Sequence, residues 1–318
     1  MTRPSRRSRS REATAAAALL LLATLTRAAP AAAQACCAGG TVVTPTRLAL
    51  HEDLAVGVQL RARTNPGSFA ADGHYTNSSG TEQIFEQDVA ASVRVAEKGQ
   101  IGAVFPIIQT HRNVAGIDDW GGGVGDVSLT ARYDFLLAAQ SLYWPGFGVL
   151  AASTIPTGTP PDDLSPSHPL AANATGEGTY DVTLGVDVEK VAGHFYGGLN
   201  GWLTHRFARR LSPGGGPSLT ESFSVRWTLL AVASYVFDSE AALGLYVSAQ
   251  NEGPATIDGV QDPTTSLRLT TVGVAGVLPI RDVWRVQGAL FGDVPVSSFG
   301  RNEPAGYGLT VALLRVWL

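Results

Sequence analysis

The chain has 318 residues, a formal net charge of −4, 45% hydrophobic residues, 36 glycines and only two cysteines. Those cysteines are adjacent, Cys36 and Cys37, which excludes a disulfide framework and a thiolate metal site from the rest of the chain. Abundant glycine, scarce lysine (Lys98 and Lys190) and dispersed apolar residues point to an all-β chain, for which a single domain of this length is ordinary.

Five arginines (Arg3, Arg6, Arg7, Arg9 and Arg11) precede an apolar stretch from Ala13 to Leu25, and Ala33-Gln34-Ala35 follows. A basic start, a short apolar core and an Ala-x-Ala ending describe a secretory signal peptide over residues 1–35. The core is too short to span a bilayer and Arg27 closes it, so an uncleaved anchor fits less well. Cys36 heads the mature chain, but Gln34 and the lack of a nearby preceding leucine make a poor lipidation signal. Residues 36–46 read as a short periplasmic tail. Without the leader, 23 − 6 = 17 basic and 27 − 1 = 26 acidic residues remain, net −9. That balance argues against a nucleic-acid partner.

No apolar run after residue 35 is long enough for a transmembrane helix. Instead the chain divides into about twelve segments of the ~9–11 residues that cross a bilayer as tilted strands. Their approximate bounds are 47–63, 82–96, 99–111, 123–137, 145–156, 178–190, 194–208, 221–237, 240–251, 266–279, 282–296 and 305–318. Short connections such as Glu97-Lys98-Gly99, Val191-Ala192-Gly193 and Asp238-Ser239-Glu240 alternate with long polar ones. The long ones are 65–81, 112–122, 159–178, 209–220, 251–265 and 297–304. Outer-membrane barrels sort their connections this way, with short periplasmic turns and long outer loops. A soluble β-sandwich has no reason to.

Within segments, side chains alternate with a period of two. Val127, Leu129, Ala131, Tyr133 and Phe135 oppose Asp126, Ser128, Thr130, Arg132 and Asp134. Tyr180, Val182, Leu184, Val186 and Val188 oppose Asp181, Thr183, Gly185, Asp187 and Glu189. The eighth and tenth segments are apolar on both faces and fit this scheme less well. Aromatics gather near segment ends, as two interfacial girdles would require. The last segment, Tyr307 to Leu318, is amphipathic to its end apart from Arg315, which can snorkel. Such a strand resembles the C-terminal signal read by the outer-membrane assembly machinery, although Leu318 stands where Phe is usual. The reading is therefore a transmembrane antiparallel up-and-down β-barrel over residues 47–318, in the outer membrane of a Gram-negative bacterium.

Gly123-Val124-Gly125-Asp126-Val127 with Tyr133, then Ile155-Pro156-Thr157-Gly158, then Gly176-Glu177-Gly178-Thr179-Tyr180-Asp181 resemble a known family. It comprises outer-membrane transporters described as similar to proteins of the meta-cleavage pathway of phenol degradation. The resemblance covers Gly121 to Gly201 and implies a barrel that passes small, often hydrophobic or aromatic, compounds. It implies no catalytic residues.

The charges on the polar faces are the candidate pore lining: Asp88, Arg94, Asp126, Arg132, Asp134, Asp181, Asp187, Glu189, Arg226 and Arg285, with Asp53, Arg61 and Glu86 beside them. Such a lining screens solutes by charge, and its acidity favours cations or neutral solutes over anions. Alternatively these mixed charges are ion pairs that brace the wall. Two other classes compete: a structural or adhesive barrel with a closed lumen, and an outer-membrane lipid hydrolase using loop histidines. His74 stands near Ser78 and His168 beside Ser167, with His111 also near a loop, but no Gly-x-Ser-x-Gly elbow or triad order appears. Nothing calls for a cofactor or a metal. The expected partners are membrane lipids, a small-molecule solute and the assembly machinery.

Overall fold

A computed structural model describes residues 47–49, 52–138, 140–141, 143–161, 167–211 and 218–318. The signal peptide, the cysteines and the 36–46 tail lie outside the described residues.

The strands are β1 (Leu54–Phe69), β2 (Tyr75–Ala96), β3 (Gly99–Val114), β4 (Ile117–Val124), β5 (Val127–Leu136), β6 (Gly146–Ile155), β7 (Asp181–Ala192) and β8 (Phe195–Arg206). They continue as β9 (Arg209–Leu211), β10 (Leu219–Ser222), β11 (Arg226–Val236), β12 (Ala242–Glu252), β13 (Ala255–Ile257), β14 (Val260–Asp262), β15 (Leu267–Ile280), β16 (Trp284–Asp293) and β17 (Pro304–Trp317). Antiparallel pairing runs from neighbour to neighbour, and β17 closes on β1 with Leu54 opposite Trp317. β4 and β5 pair with the upper and lower parts of β3, so together they fill one position in the wall. The result is a closed antiparallel barrel of 12 strands. The start of β1 and the end of β17 thus stand together at one rim, the lower one. Closure leaves no unpaired edge at the level where β5 joins β3 to β6, the condition a sheet must meet to stand in lipid, and β4 pairs with β3 alone above it.

The apolar face of each strand points outward. Leu129, Tyr133 and Phe135 on β5, and Val182, Leu184, Val186 and Val188 on β7, are all exposed. Their polar neighbours Asp187 and Glu189 are buried on the inside. A soluble sheet shows the reverse arrangement, so this belt is a lipid-facing surface. Aromatics ring its lower edge, where Tyr133, Phe135, Phe147, Phe195, Tyr235 and Phe237 are exposed and pack edge to face or stacked. Arg315 sits in the same ring, its guanidinium 4.9 Å from the Trp317 ring centre and 5.9 Å from that of Trp284.

Several boundaries differ from the sequence reading. The first strand begins at Leu54 rather than residue 47, because Arg47, Leu48 and Ala49 lie inside the barrel and bond to its inner wall. The stretches 65–81 and 112–122, read as loops from their polarity, are largely strand: β1 and β2 run on to Phe69 and from Tyr75, and β4 continues β3 through a tight turn. Ladder hydrogen bonds hold these hairpins, so a polar stretch forms strand beyond the apolar belt. The loops at 209–220 and 251–265 contain a separate four-stranded sheet, β14-β13-β10-β9.

Candidate functional site

The candidate site is the barrel lumen, and its inward side chains fall into three zones. The lower zone surrounds the incoming chain. Arg47 makes a two-pronged pair with Glu189, with Nη2 to Oε2 at 2.7 Å. The Leu48 N–H donates to Gln100 Oε1 at 3.0 Å, and the Ala49 N–H donates to Glu52 Oε2 at 2.7 Å. Arg94 Nε donates to the Glu52 carbonyl at 2.9 Å, and Arg285 Nη1 lies 3.3 Å from Glu52 Oε1. Beside them Arg132 joins Asp134 at 2.7 Å and Asp187 at 2.6 Å, with Glu189 at 3.6 Å. The lower mouth is thus braced by charges that neutralise each other, with Arg47, Leu48, Ala49 and Glu52 buried among them.

The middle zone is unequal around the wall. On β1 and β2 it is polar: Gln59 Nε2 donates to Asp88 Oδ2 at 2.9 Å, and Arg61 pairs with Glu86 at 2.8 Å. Opposite, inward residues of β8, β11, β12 and β15 form an apolar cluster that rises from Tyr196, Val236, Ala242 and Val277 at the lower end to Leu230 and Val232 in the middle, with Trp202 and Tyr246 packed on it. Trp202 and Tyr246 lie flat because their cross-strand neighbours are glycines. A Cβ on Gly185 would stand 2.2 Å from the Trp202 ring, and one on Gly273 2.5 Å from the Tyr246 ring. These inward apolar residues explain why the eighth and tenth segments are apolar on both faces. Reading only charges as lining missed them, and that double-sided apolarity was their signal in the sequence.

The upper zone is shaped by the long connection between β6 and β7. Residues 168–177 lie along the lumen face of β3 and β4. The His168 ring Nδ1 and the Leu170 N–H lie 2.9 Å from the two Asp119 carboxylate oxygens. Arg112 donates to the Leu170 carbonyl at 2.7 Å and the Ala171 carbonyl at 3.0 Å. The contact is so close at Gly121 that a Cβ there would sit 2.4 Å from the Ala172 carbonyl carbon. Asp126, at the break between β4 and β5, spends both carboxylate oxygens on this connection, accepting from Gly158 N at 2.9 Å and Glu177 N at 2.7 Å. The glycine-rich stretches of the sequence therefore meet here, and their common task is to seat the loop.

Glu177 then reaches Arg206 and lies 3.6 Å from Arg226. Both arginines also hold Glu252, at 3.1 Å and 2.7 Å, while Asp181 stands 3.8 Å from Arg206. Across the mouth Arg63 pairs with Asp293 at 2.8 Å. Between the two groups Glu303 is pushed up to about 7: burial is the main cause, Arg226 and Arg63 oppose it, and Glu177 and Asp293 add to it.

Thus the structure brings Arg132, Asp134, Asp187 and Glu189 together at the lower end and Asp181 with Arg226 at the upper end. Arg94 and Arg285 hold the entering chain, Asp88 lies in the middle, and Asp126 serves the loop. The loop histidines have partners of their own. His111 stacks on Trp120 at 4.0 Å and bonds Asp118 at 2.7 Å, and His168 bonds Asp119. His74 Nδ1 lies 3.4 Å from Ser297 Oγ, whereas Ser78 Oγ accepts the Gly80 N–H at 3.0 Å. A shallow concavity of about 980 Å³ on the outer wall, lined by Tyr133, Leu184, Leu203 and Trp227, faces the lipid rather than the lumen.

The sequence matches no protein-family profile, and a comparison with curated proteins finds no match. Among solved structures the chain is similar to the COG4313 outer membrane channel from Pseudomonas putida F1, with a TM-score of 0.69 and 18% identity over 86% of this chain and 100% of that one. It is less similar to the translocator domain of autotransporter NalP from Neisseria meningitidis, with a TM-score of 0.49 and 13% identity over 96% and 98% of the chains. The CymD monoaromatic hydrocarbon channel gives a TM-score of 0.41 and 10% identity over 91% and 94%. The first of these establishes for this chain the fold of an outer-membrane β-barrel.

Proposed function

We propose that this chain is exported by its leader and stands in the outer membrane of a Gram-negative bacterium as a channel for small compounds, hydrophobic or aromatic ones included. The observation that carries the reading is the unequal lumen. One wall offers Trp202, Tyr246, Leu230 and Val232, and the facing wall offers the Arg61–Glu86 pair and Asp88, which accepts from Gln59. Mostly paired charges leave a weak net field, so such a lumen sorts solutes by shape and ring contact more than by charge. An apolar wall lowers the cost of moving a poorly hydrated solute past a polar one. The family resemblance of the central segments supports the same solute class.

The second reading, a structural barrel with a closed lumen, draws on a specific observation too: residues 47–49 and residues 168–177 both lie inward. Uptake into liposomes separates the two. Vesicles carrying the refolded protein should admit a small neutral aromatic solute faster than empty vesicles, and Trp202→Ala and Tyr246→Ala should change that rate. Uptake equal to that of empty vesicles, with the barrel folded, would favour the structural reading.

A further inference from the structure

Resting on the channel reading, the upper lumen carries one arrangement that goes beyond it. Arg206 and Arg226 share two carboxylates. Glu252 comes from β12 with its side chain only 3% exposed, and bonds Arg206 Nη1 at 3.1 Å and Arg226 Nε at 2.7 Å. Glu177 bridges the same two guanidinium groups from the other side, but it comes from the loop and its side chain is 49% exposed. The two acids differ in what it takes to remove them. Taking Glu252 away moves a buried charge on a strand. Taking Glu177 away requires only a side-chain rotation, because its backbone stays fixed by Asp126 at its N–H and by Arg209 at its carbonyl, 2.6 Å away.

We infer that Glu177 is the protein's own occupant of a carboxylate-binding site, and that a solute carboxylate takes its place between Arg206 and Arg226. Planar guanidinium groups present paired donors that match a carboxylate. With Glu177 turned out to solvent, Arg206 and Arg226 face Glu252 and Asp181, with Glu303 beside Arg226, so the incoming anion takes the place of one carboxylate rather than adding to it. The surroundings specify the rest of the solute. The Arg206 guanidinium carbon lies 4.0 Å from the centre of the Phe223 ring, and Thr228 and Trp202 face the lumen one ladder step below Arg226. A carboxylate joined to a flat apolar group fits that setting, its charge on the arginines and its ring toward the apolar wall.

Benzoate is the probe, with benzamide as its uncharged isostere. Binding is measured by calorimetry on the refolded full barrel in detergent micelles, where no passage is needed. Saturable benzoate binding is expected, with benzamide bound at least about tenfold more weakly, as the loss of a charge-assisted contact implies. Glu177→Gln removes the internal competitor and should tighten benzoate about threefold to tenfold, the size of a half-exposed ion pair. Arg226→Gln should abolish binding; if it fails to fold, the Glu177→Gln result still decides. Equal binding of benzoate and benzamide, no benzoate binding, or a Glu177→Gln barrel that binds benzoate no more tightly would overturn the site. Uptake of a neutral solute by liposomes is a separate readout, so loss of this site and loss of the channel reading are told apart.

Discussion

The Asp126 carboxylate ties together the two ends of the loop between β6 and β7, receiving the Gly158 N–H on one oxygen and the Glu177 N–H on the other. Asp126→Ala leaves both donors without that partner. Hydrogen bonds to a charged acceptor contribute about 1.5–3 kcal/mol each, so opening of the loop should become easier by about that amount or more. Limited proteolysis should cut the variant between residues 158 and 177 faster than the parent. Heat-modifiable gel migration, which reports the barrel itself, should be unchanged.

The seat of that loop can be tested from the other side. A side chain at Gly121 collides with backbone at Ala172, which has little room to give. Gly121→Val should therefore raise loop proteolysis as Asp126→Ala does, at a cost of about 1–3 kcal/mol from overpacking. Gly197→Ala is the control, since a Cβ there meets nothing within 4 Å. Its behaviour should match the parent.

Ion pairs in the lumen differ in burial, and so should their deletion. The Arg132 side chain is 10% exposed and serves Asp134 and Asp187. Arg132→Ala strands these acids and should destabilise the barrel by about 3–5 kcal/mol. The Arg61 side chain is 38% exposed in its pair with Glu86, and Arg61→Ala should cost less than about 1 kcal/mol. Urea unfolding from micelles gives both values. Equal losses would contradict the assignment of Arg132 as a brace of the lower mouth.

Much of this architecture is legible in the sequence because period-two alternation survives in most strands. The alternations through Leu129 and through Leu184 mark the outward face directly, and loop lengths mark the two ends. What alternation cannot convey is the inward partner. Val232 on β11 and Val277 on β15 read as misfits until Tyr196, Trp202 and Tyr246 appear beside them. Asp126 sits in phase with Arg132 and Asp134, yet it belongs to a break in the strand, where a carboxylate finds loop N–H groups instead of the lumen. Arg47, Leu48, Ala49 and Glu52 carry no pattern that shows they enter the barrel. Their position follows from Arg94, Glu189 and Arg285, which are distant in sequence.

Glu303 gives a pH dependence with a definite sign. Its carboxyl is raised from 4.5 to about 7, chiefly by burial, so between those values the folded chain holds a proton that the unfolded chain has released. Stability from this group is full below about 4.5 and falls as pH rises toward about 7. Glu303→Gln should flatten that slope and stabilise the barrel at pH 8. A parent and variant with parallel urea midpoints across this range would contradict the assignment.

The central claim is that the lumen is a passage, and single-channel recording tests it most directly. The mature protein, refolded and shown by heat-modifiable migration to be a barrel, is placed in a planar bilayer. Discrete conductance steps are expected, with weak charge selectivity because the lining charges are paired. A folded barrel that stays silent over long recordings would contradict the channel and leave the closed structural barrel as the better account.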